Sequence, residues 1–148
     1  MARGAARHTM ELDQAMIVAG IGCRRGAAAA DVERVIRGAL ARAGIAAASL
    51  DAIATLAAKQ DEAGVKAAAA KMGLKVIAVS DAEIRSASDR VNTRSDRVLA
   101  LMGVPSVAEA AALAAAGPAS RLIGTRLVLG SATCALASSA HETPEALQ

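Results

Sequence analysis

Apolar and polar positions along the chain switch repeatedly between two patterns. Ala15 to Ile21 (AMIVAGI) is a short continuous apolar run ending in glycine, the pattern of a strand buried on both faces. Val32, Val35, Ile36, Ala39, Leu40 and Ala43 then recur with helical spacing, and Gly44 supplies a stop. Leu50 to Ala57 (LDAIATLA) predicts a second strand. Asp61 stands as the N-cap of a helix that carries Val65, Ala69 and Met72 and stops at Gly73. Lys75 to Val79 (KVIAV) predicts a third strand. Ser80 and Glu83 have capping-box spacing, so a short helix starts there, and the polar stretch from Ser86 to Asn92 reads as a loop. Ser95 to Met102 predicts a further helical turn or two, closed by Gly103. Ser106 and Glu109 repeat the capping-box spacing before VAEAAALAAA, which Gly117-Pro118 ends. Arg121 to Leu129 and Ala132 to Ala137 read as two strands joined through Gly130-Ser131, a hairpin signal.

The order strand, helix, strand, helix, strand predicts a parallel sheet covered on both faces, and the closing hairpin adds an antiparallel strand. The expected fold class is therefore α/β, three layers α/β/α, around a mixed, mostly parallel sheet of about five strands with a C-terminal hairpin. No internal repeat and no linker divides the chain, so residues 15–138 are expected to form a single domain, with flexible tails at 1–14 and 139–148.

Composition sharpens this picture. More than half of the 148 residues are hydrophobic, 54%, enough to fill a core, yet there is no Phe, Tyr or Trp. The core must be built from Leu, Ile, Val, Met and many alanines, at roughly 25 cal/mol per Å² of apolar area buried. The lack of aromatic faces argues against single-stranded nucleic acid as a partner, since bases are held there by stacking. The net charge of +3 is spread among 14 acids with no Lys/Arg block, so nucleic acid is not expected, whereas a polycarboxylate small molecule suits a mild positive excess. Mean hydropathy is +0.37, but the longest uncharged stretch, Leu127 to Ala140, is too short to cross a hydrocarbon core of about 30 Å as a helix. Met1 to Gln14 has no apolar centre of the kind a signal peptide needs. The expectation is a cytoplasmic protein without a membrane segment. Two cysteines, Cys23 and Cys134, are too few for a disulfide framework and are expected as reduced thiols.

Candidate chemistry gathers first at Gly20-Ile21-Gly22-Cys23-Arg24-Arg25-Gly26, between the first strand and its helix. Ligands of such folds collect at the carboxyl ends of strands, where helix N-termini offer unpaired N–H groups. Glycines let the backbone approach a ligand, and two arginines add positive charge. The segment reads equally as an anion site and as a tight turn with solvated arginines. A dinucleotide site is not expected: the spacing is G-x-G-x-x-x-G, Asp51 opens its strand instead of ending it, and no Walker lysine follows. Arg24 and Arg25 beside Cys23 would favour its thiolate, although no histidine accompanies it, because His8 and His141 both lie near the ends. The scarcity of histidines also leaves no strong metal motif, and no cofactor is expected. Lys59, Asp61 and Glu62 follow the second strand at the same edge; a lysine with a carboxylate there can bind an acid group or move a proton, while Asp61 is read as a cap. Ser106 opens a helix whose N-terminus is open to a ligand.

The same segments carry a family resemblance. Gly-Ile-Gly-Cys-Arg-Arg-Gly at 20–26, Lys59 with Glu62 and Gly64, Gly-Val-Pro-Ser-Val-Ala-Glu-Ala at 103–110 and Ala-Thr-Cys-Ala at 132–135 occur in matching order. Together they resemble the C-terminal-domain family of the cobalamin-biosynthesis proteins CobE and CbiG, over about residues 15–138. The resemblance implies a three-layer α/β/α fold and work around ring contraction of the precorrin macrocycle. The ligand-binding candidates are Gly20, Gly22, Cys23, Arg24, Arg25, Gly26, Lys59, Glu62, Ser106 and Thr133, with Lys59 and Glu62 also the candidate catalytic pair. The favoured expectation is binding or handling of a precorrin or corrinoid intermediate, its acetate and propionate groups meeting Arg24, Arg25 and Lys59. Two alternatives stand beside it. One is a hydrolase acting on the precorrin lactone with release of a two-carbon fragment, as the resemblance implies for the larger CbiG-type proteins. The other is a non-catalytic scaffold for other pathway enzymes, such as the precorrin methyltransferases.

Overall fold

The computed structural model describes residues 16–94 and 107–139. Strand β1 (Ile17–Cys23) leads into helix α1 (Ala29–Ala43), then β2 (Ala52–Leu56), α2 (Ala63–Met72), β3 (Lys75–Val79) and α3 (Asp81–Arg94). Helix α4 (Val107–Ala116) and the hairpin strands β4 (Arg121–Leu129) and β5 (Ala132–Ser138) complete the order. The helical turns expected at 95–102, the segment from Gly103 to Ser106 and the tail residues 1–14 and 140–148 lie outside the described residues.

The strands join in the order β3-β2-β1-β5-β4. β1 pairs in parallel with β2, and β2 with β3; β5 runs antiparallel to both β1 and β4. Four strands therefore point one way and β5 alone opposes them. Because β1, β2 and β3 each lead straight into a helix, α1, α2 and α3 all begin at the carboxyl edge of the sheet, and the β4–β5 turn lies there too.

Helices α1 and α2 cover one face, where Val32, Val35, Ile36, Leu40 and Val65 pack on Ile21, Ile53, Cys134 and Leu136. Helices α3 and α4 cover the other, where Ala110, Ala111, Ala112 and Leu113 pack on Val18, Ala54 and Ala137. The result is a three-layer α/β/α arrangement around a mixed five-stranded sheet.

Local sequence accounts for the helix ends. Gly44 adopts φ 72°, and the Gly44 and Ile45 N–H groups donate to the Ala41 and Leu40 carbonyls, closing α1 with a paired C-terminal turn. Gly73 and Leu74 repeat it at the end of α2, donating to Ala70 and Ala69. The Ser80/Glu83 capping box forms in both directions: the Ser80 N–H donates to Glu83 Oε1 at 2.8 Å and the Glu83 N–H to Ser80 Oγ at 3.1 Å.

Several boundaries differ from expectation: β2 is shorter, Ala52–Leu56 instead of Leu50 to Ala57, and two other differences bear on the site. The stretch from Ser86 to Asn92, expected as a loop, continues α3 to Arg94. This helix packs against α4 through a narrow stripe in which Ala87 is buried and Ile84 half-buried, too thin to give an apolar period in the sequence. β1 runs to Cys23 instead of ending at Ile21, so Gly20 and Gly22 lie inside a strand. Glycine within a strand often marks a close backbone approach. A Cβ on Gly20 would run into the Ala108 carbonyl oxygen of α4 and stand 2.7 Å from the Ala112 nitrogen.

Candidate functional site

The carboxyl edge of β1 brings most of the candidate residues together and divides them between the two faces. Along β1, Cys23 follows Ile21 onto the α1/α2 face. Gly22 turns to α4, where a Cβ would stand an ordinary 3.7 Å from the Ala108 nitrogen. Thr133, the β5 partner of Gly22, alternates with Ala132 and Cys134, so it too faces α4 and is half-buried. Val128 pairs with Thr133 and is 58% exposed; Val107, at the start of α4, is 39% exposed. Gly20 is buried beneath α4, so its glycine is explained by packing and not by contact with a ligand. Ser106 lies outside the described residues.

Beyond Cys23 the chain turns at Gly26, with φ 76°, and leaves Arg24 and Arg25 exposed. This loop is held at three points. Its own turn is closed by the Ala27 N–H donating to the Arg24 carbonyl at 3.0 Å. The Arg24 N–H donates to the Ser131 carbonyl at 3.1 Å, joining the loop to the β4–β5 turn. The Gly26 N–H donates to Glu62 Oε1 at 2.9 Å, joining it to the start of α2.

Glu62, not Asp61, occupies the N-cap position of α2, and its carboxylate does not cap its own helix. It reaches the β1–α1 loop with one oxygen, while Oε2 lies 3.9 Å from Lys59 Nζ. Asp61 is exposed and pairs loosely with Lys66 at 3.8 Å. Lys59 ends a short 3-10 turn, Ala57–Lys59, and is half-buried. Gly64, in the first turn of α2, lies so close to the Ala27 carbonyl that a Cβ there would collide with it. The loop and the helix start thus meet at two contacts, one polar and one steric.

Cys23 does not have the activated thiol its arginine neighbours suggested. Burial raises its pKa above the ordinary 9.0; the Lys59 ammonium opposes that shift and the Glu62 carboxylate adds to it. At neutral pH the thiol is protonated and a poor nucleophile. Cys134, deep under α1, is pushed up to about 12 by burial.

Asp31 has no role in the sequence reading, and Ser131 enters it only as a hairpin-turn residue. The Ser131 hydroxyl donates to Asp31 Oδ2 at 2.8 Å and its N–H at 3.3 Å, tying the hairpin turn to the first turn of α1. These bonds hold the Asp31 carboxyl below its ordinary 3.8. An acid in a helix first turn was visible in the sequence, but its partner 100 residues away was not. Thr55 is fully buried and donates to the Ile21 carbonyl at 3.0 Å. Among the described residues no group of three or more His, Cys, Asp or Glu side chains is placed to hold a metal ion.

Residues 17–137 match the family model described as cobalamin synthesis G C-terminus. The chain belongs to this family. It is 36% identical over 124 residues to Protein CobE of Sinorhizobium, covering 84% of this chain and 80% of that one. The crystal structure of CobE, a protein from the cobalamin (vitamin B12) biosynthetic pathway, superposes with a TM-score of 0.70 at 33% identity, covering 84% of this chain and 90% of that one. A cobalt-precorrin-5A hydrolase of Priestia megaterium is 34% identical over 102 residues, which are 69% of this chain and only 27% of the hydrolase. This chain is thus a member of a cobalamin-biosynthesis family with the fold of CobE. Among the described residues no helix is long and apolar enough to cross a membrane.

Proposed function

We propose that this protein binds a precorrin or related corrinoid intermediate around the ring-contraction stage of cobalamin synthesis, through the edge formed by Arg24, Arg25, Lys59 and Thr133. The observation that carries this reading is the pair of exposed guanidinium groups, for which no partner is found among the described residues, held on a loop fixed at three points. The acetate and propionate groups of the macrocycle are carboxylates that guanidinium groups recognise with paired hydrogen bonds. Val107 and Val128, exposed at the same edge, offer apolar surface to the ring face. A cobalamin family in which such a ligand is at hand supports the choice.

Titrating the protein with metal-free and cobalt-containing corrinoid acids, followed by their visible absorbance, tests this. Saturable binding at micromolar concentration or tighter is expected, and replacing Arg24, Arg25 and Lys59 together with alanine weakens it by at least about tenfold. Unchanged affinity in the triple variant would remove this mechanism.

The similarity to a cobalt-precorrin-5A hydrolase gives a second reading, in which Lys59 or Glu62 moves a proton during lactone opening. It requires this chain alone to release a two-carbon fragment from a verified precorrin substrate. The engagement of both Glu62 oxygens, with Gly26 and with Lys59, favours the binding reading.

A further inference from the structure

We infer that Glu62 is a positioning residue: its carboxylate clamps the backbone of the Arg24–Arg25 loop to the start of α2 and so sets where the two guanidinium groups stand. The inference rests on the binding reading above for its functional meaning, but the clamp itself is a property of the free protein.

Four features of the loop and the α2 start support it. Short side chains such as Asp, Asn, Ser and Thr at an N-cap usually accept from their own helix, whereas the longer Glu can reach further. Glu62 accepts nothing from its own helix there and spends Oε1 on the Gly26 N–H at 2.9 Å, 36 residues away. The Gly26 backbone, at φ 76°, sits where a turn reverses direction, so holding that one N–H fixes the path of the loop on which Arg24 and Arg25 stand. Gly64 has no positive φ; its lack of a Cβ is what lets α2 come up against the Ala27 carbonyl and brings Glu62 within reach. The Lys59 ammonium stands 3.9 Å from the other carboxylate oxygen, on the side away from the loop contact.

A carboxylate used this way is not positioned as a general base. It is also a poor direct ligand for a polyacid, because its charge repels the acid groups that Arg24 and Arg25 attract. Glu62 therefore acts on the ligand through the loop.

Two variants separate the clamp from the charge. Glu62→Gln and Glu62→Ala remove the same negative charge, but only the glutamine keeps an oxygen that can accept from Gly26. In the free protein, the Gly26 amide should exchange with solvent about tenfold faster in Glu62→Ala than in wild type, and within about threefold of wild type in Glu62→Gln. Titrated with a metal-free corrinoid acid, Glu62→Ala should bind about tenfold more weakly than Glu62→Gln, which itself binds at least as tightly as wild type. Equal affinities of the two variants, or an unchanged Gly26 exchange rate in Glu62→Ala, would overturn the assignment. If wild type binds no corrinoid acid while Gly26 exchange responds as expected, the clamp stands and the binding reading falls.

Discussion

On the side of α1 and α2 the sheet is covered by branched side chains, among them Val32, Val35, Ile36, Leu40 and Val65, meeting Ile21 and Ile53. On the side of α3 and α4 it is covered largely by Ala110, Ala111, Ala112 and Ala116, with Leu113 the one large buried side chain of α4. The first face is filled by interlocking side chains, which can shift rotamers to absorb a change. On the second, α4 lies against β1 backbone to backbone, at a strand position, Gly20, with no Cβ to hold the helix away. A protein without aromatic residues has two ways to exclude water from a sheet, and this one uses a different one on each side. Alanine brings a helix close and leaves little to move.

That contrast predicts that one added methyl on the alanine face is at least as damaging as three carbons removed from the branched face. Gly20→Ala drives its Cβ into backbone atoms of Ala108 and Ala112, and urea denaturation should show a loss of about 4 kcal/mol or outright failure to fold. Ile36→Ala, at a fully buried position on α1, should cost about 3 kcal/mol. A Gly20→Ala loss below about 1 kcal/mol would mean that α4 lifts off easily, and the contrast would vanish.

A smaller effect separates the open edge from the interior of the α1/α2 face, where each cysteine reports its own surroundings. Cys23 should react with iodoacetamide slowly at neutral pH and faster as pH rises past 9.0, whereas Cys134, with its thiol near 12, should react only on unfolding. Lys59→Ala removes the cation that opposes the Cys23 shift, so its alkylation midpoint moves further up. An unchanged midpoint would show that the Lys59 charge does not act on this thiol.

The smallest expected effect is in acid. Asp31 and Glu33 on α1 and Glu83 on α3 are held below their ordinary 3.8, 4.5 and 4.5 by hydrogen bonds, from Ser131, from Arg37 and Lys71, and from Ser80. Lowered folded values mean that these contributions are complete above the ordinary values and disappear as pH falls through the lower, folded ones. The melting temperature should stay level from pH 7 down to about 5 and decline below about 4. Ser131→Ala takes away the strongest support of the Asp31 charge and should make that decline shallower.

Much of the architecture was legible because local chemistry and global fold agree. Gly44 and Gly73 stop their helices as read, β3 covers the expected residues, the Gly130-Ser131 turn joins the expected strands, and Ser80 with Glu83 caps as its spacing predicts. Failures came where a residue answers to something distant in sequence. Gly20 and Gly22 look like turn glycines until α4, nearly 90 residues later, is seen lying across them. Asp61 is the better cap by type, yet Glu62 holds the position because its longer arm reaches Gly26. The candidate residues were named from one edge of the sheet, and the structure shows that Cys23 and Gly22, adjacent in sequence, serve opposite faces of it.

The Ser139 N–H donates to the Met16 carbonyl at 3.0 Å and the Met16 N–H donates to Ser139 Oγ at 2.8 Å, so the entry to β1 and the exit from β5 are neighbours. Both lie at the amino end of β1, one strand length from Arg24 and Lys59. A short peptide could therefore join the two points and new ends be opened elsewhere without passing near the arginine loop. For the same reason a second polypeptide joined at these two points would leave the arginine loop facing away from the seam.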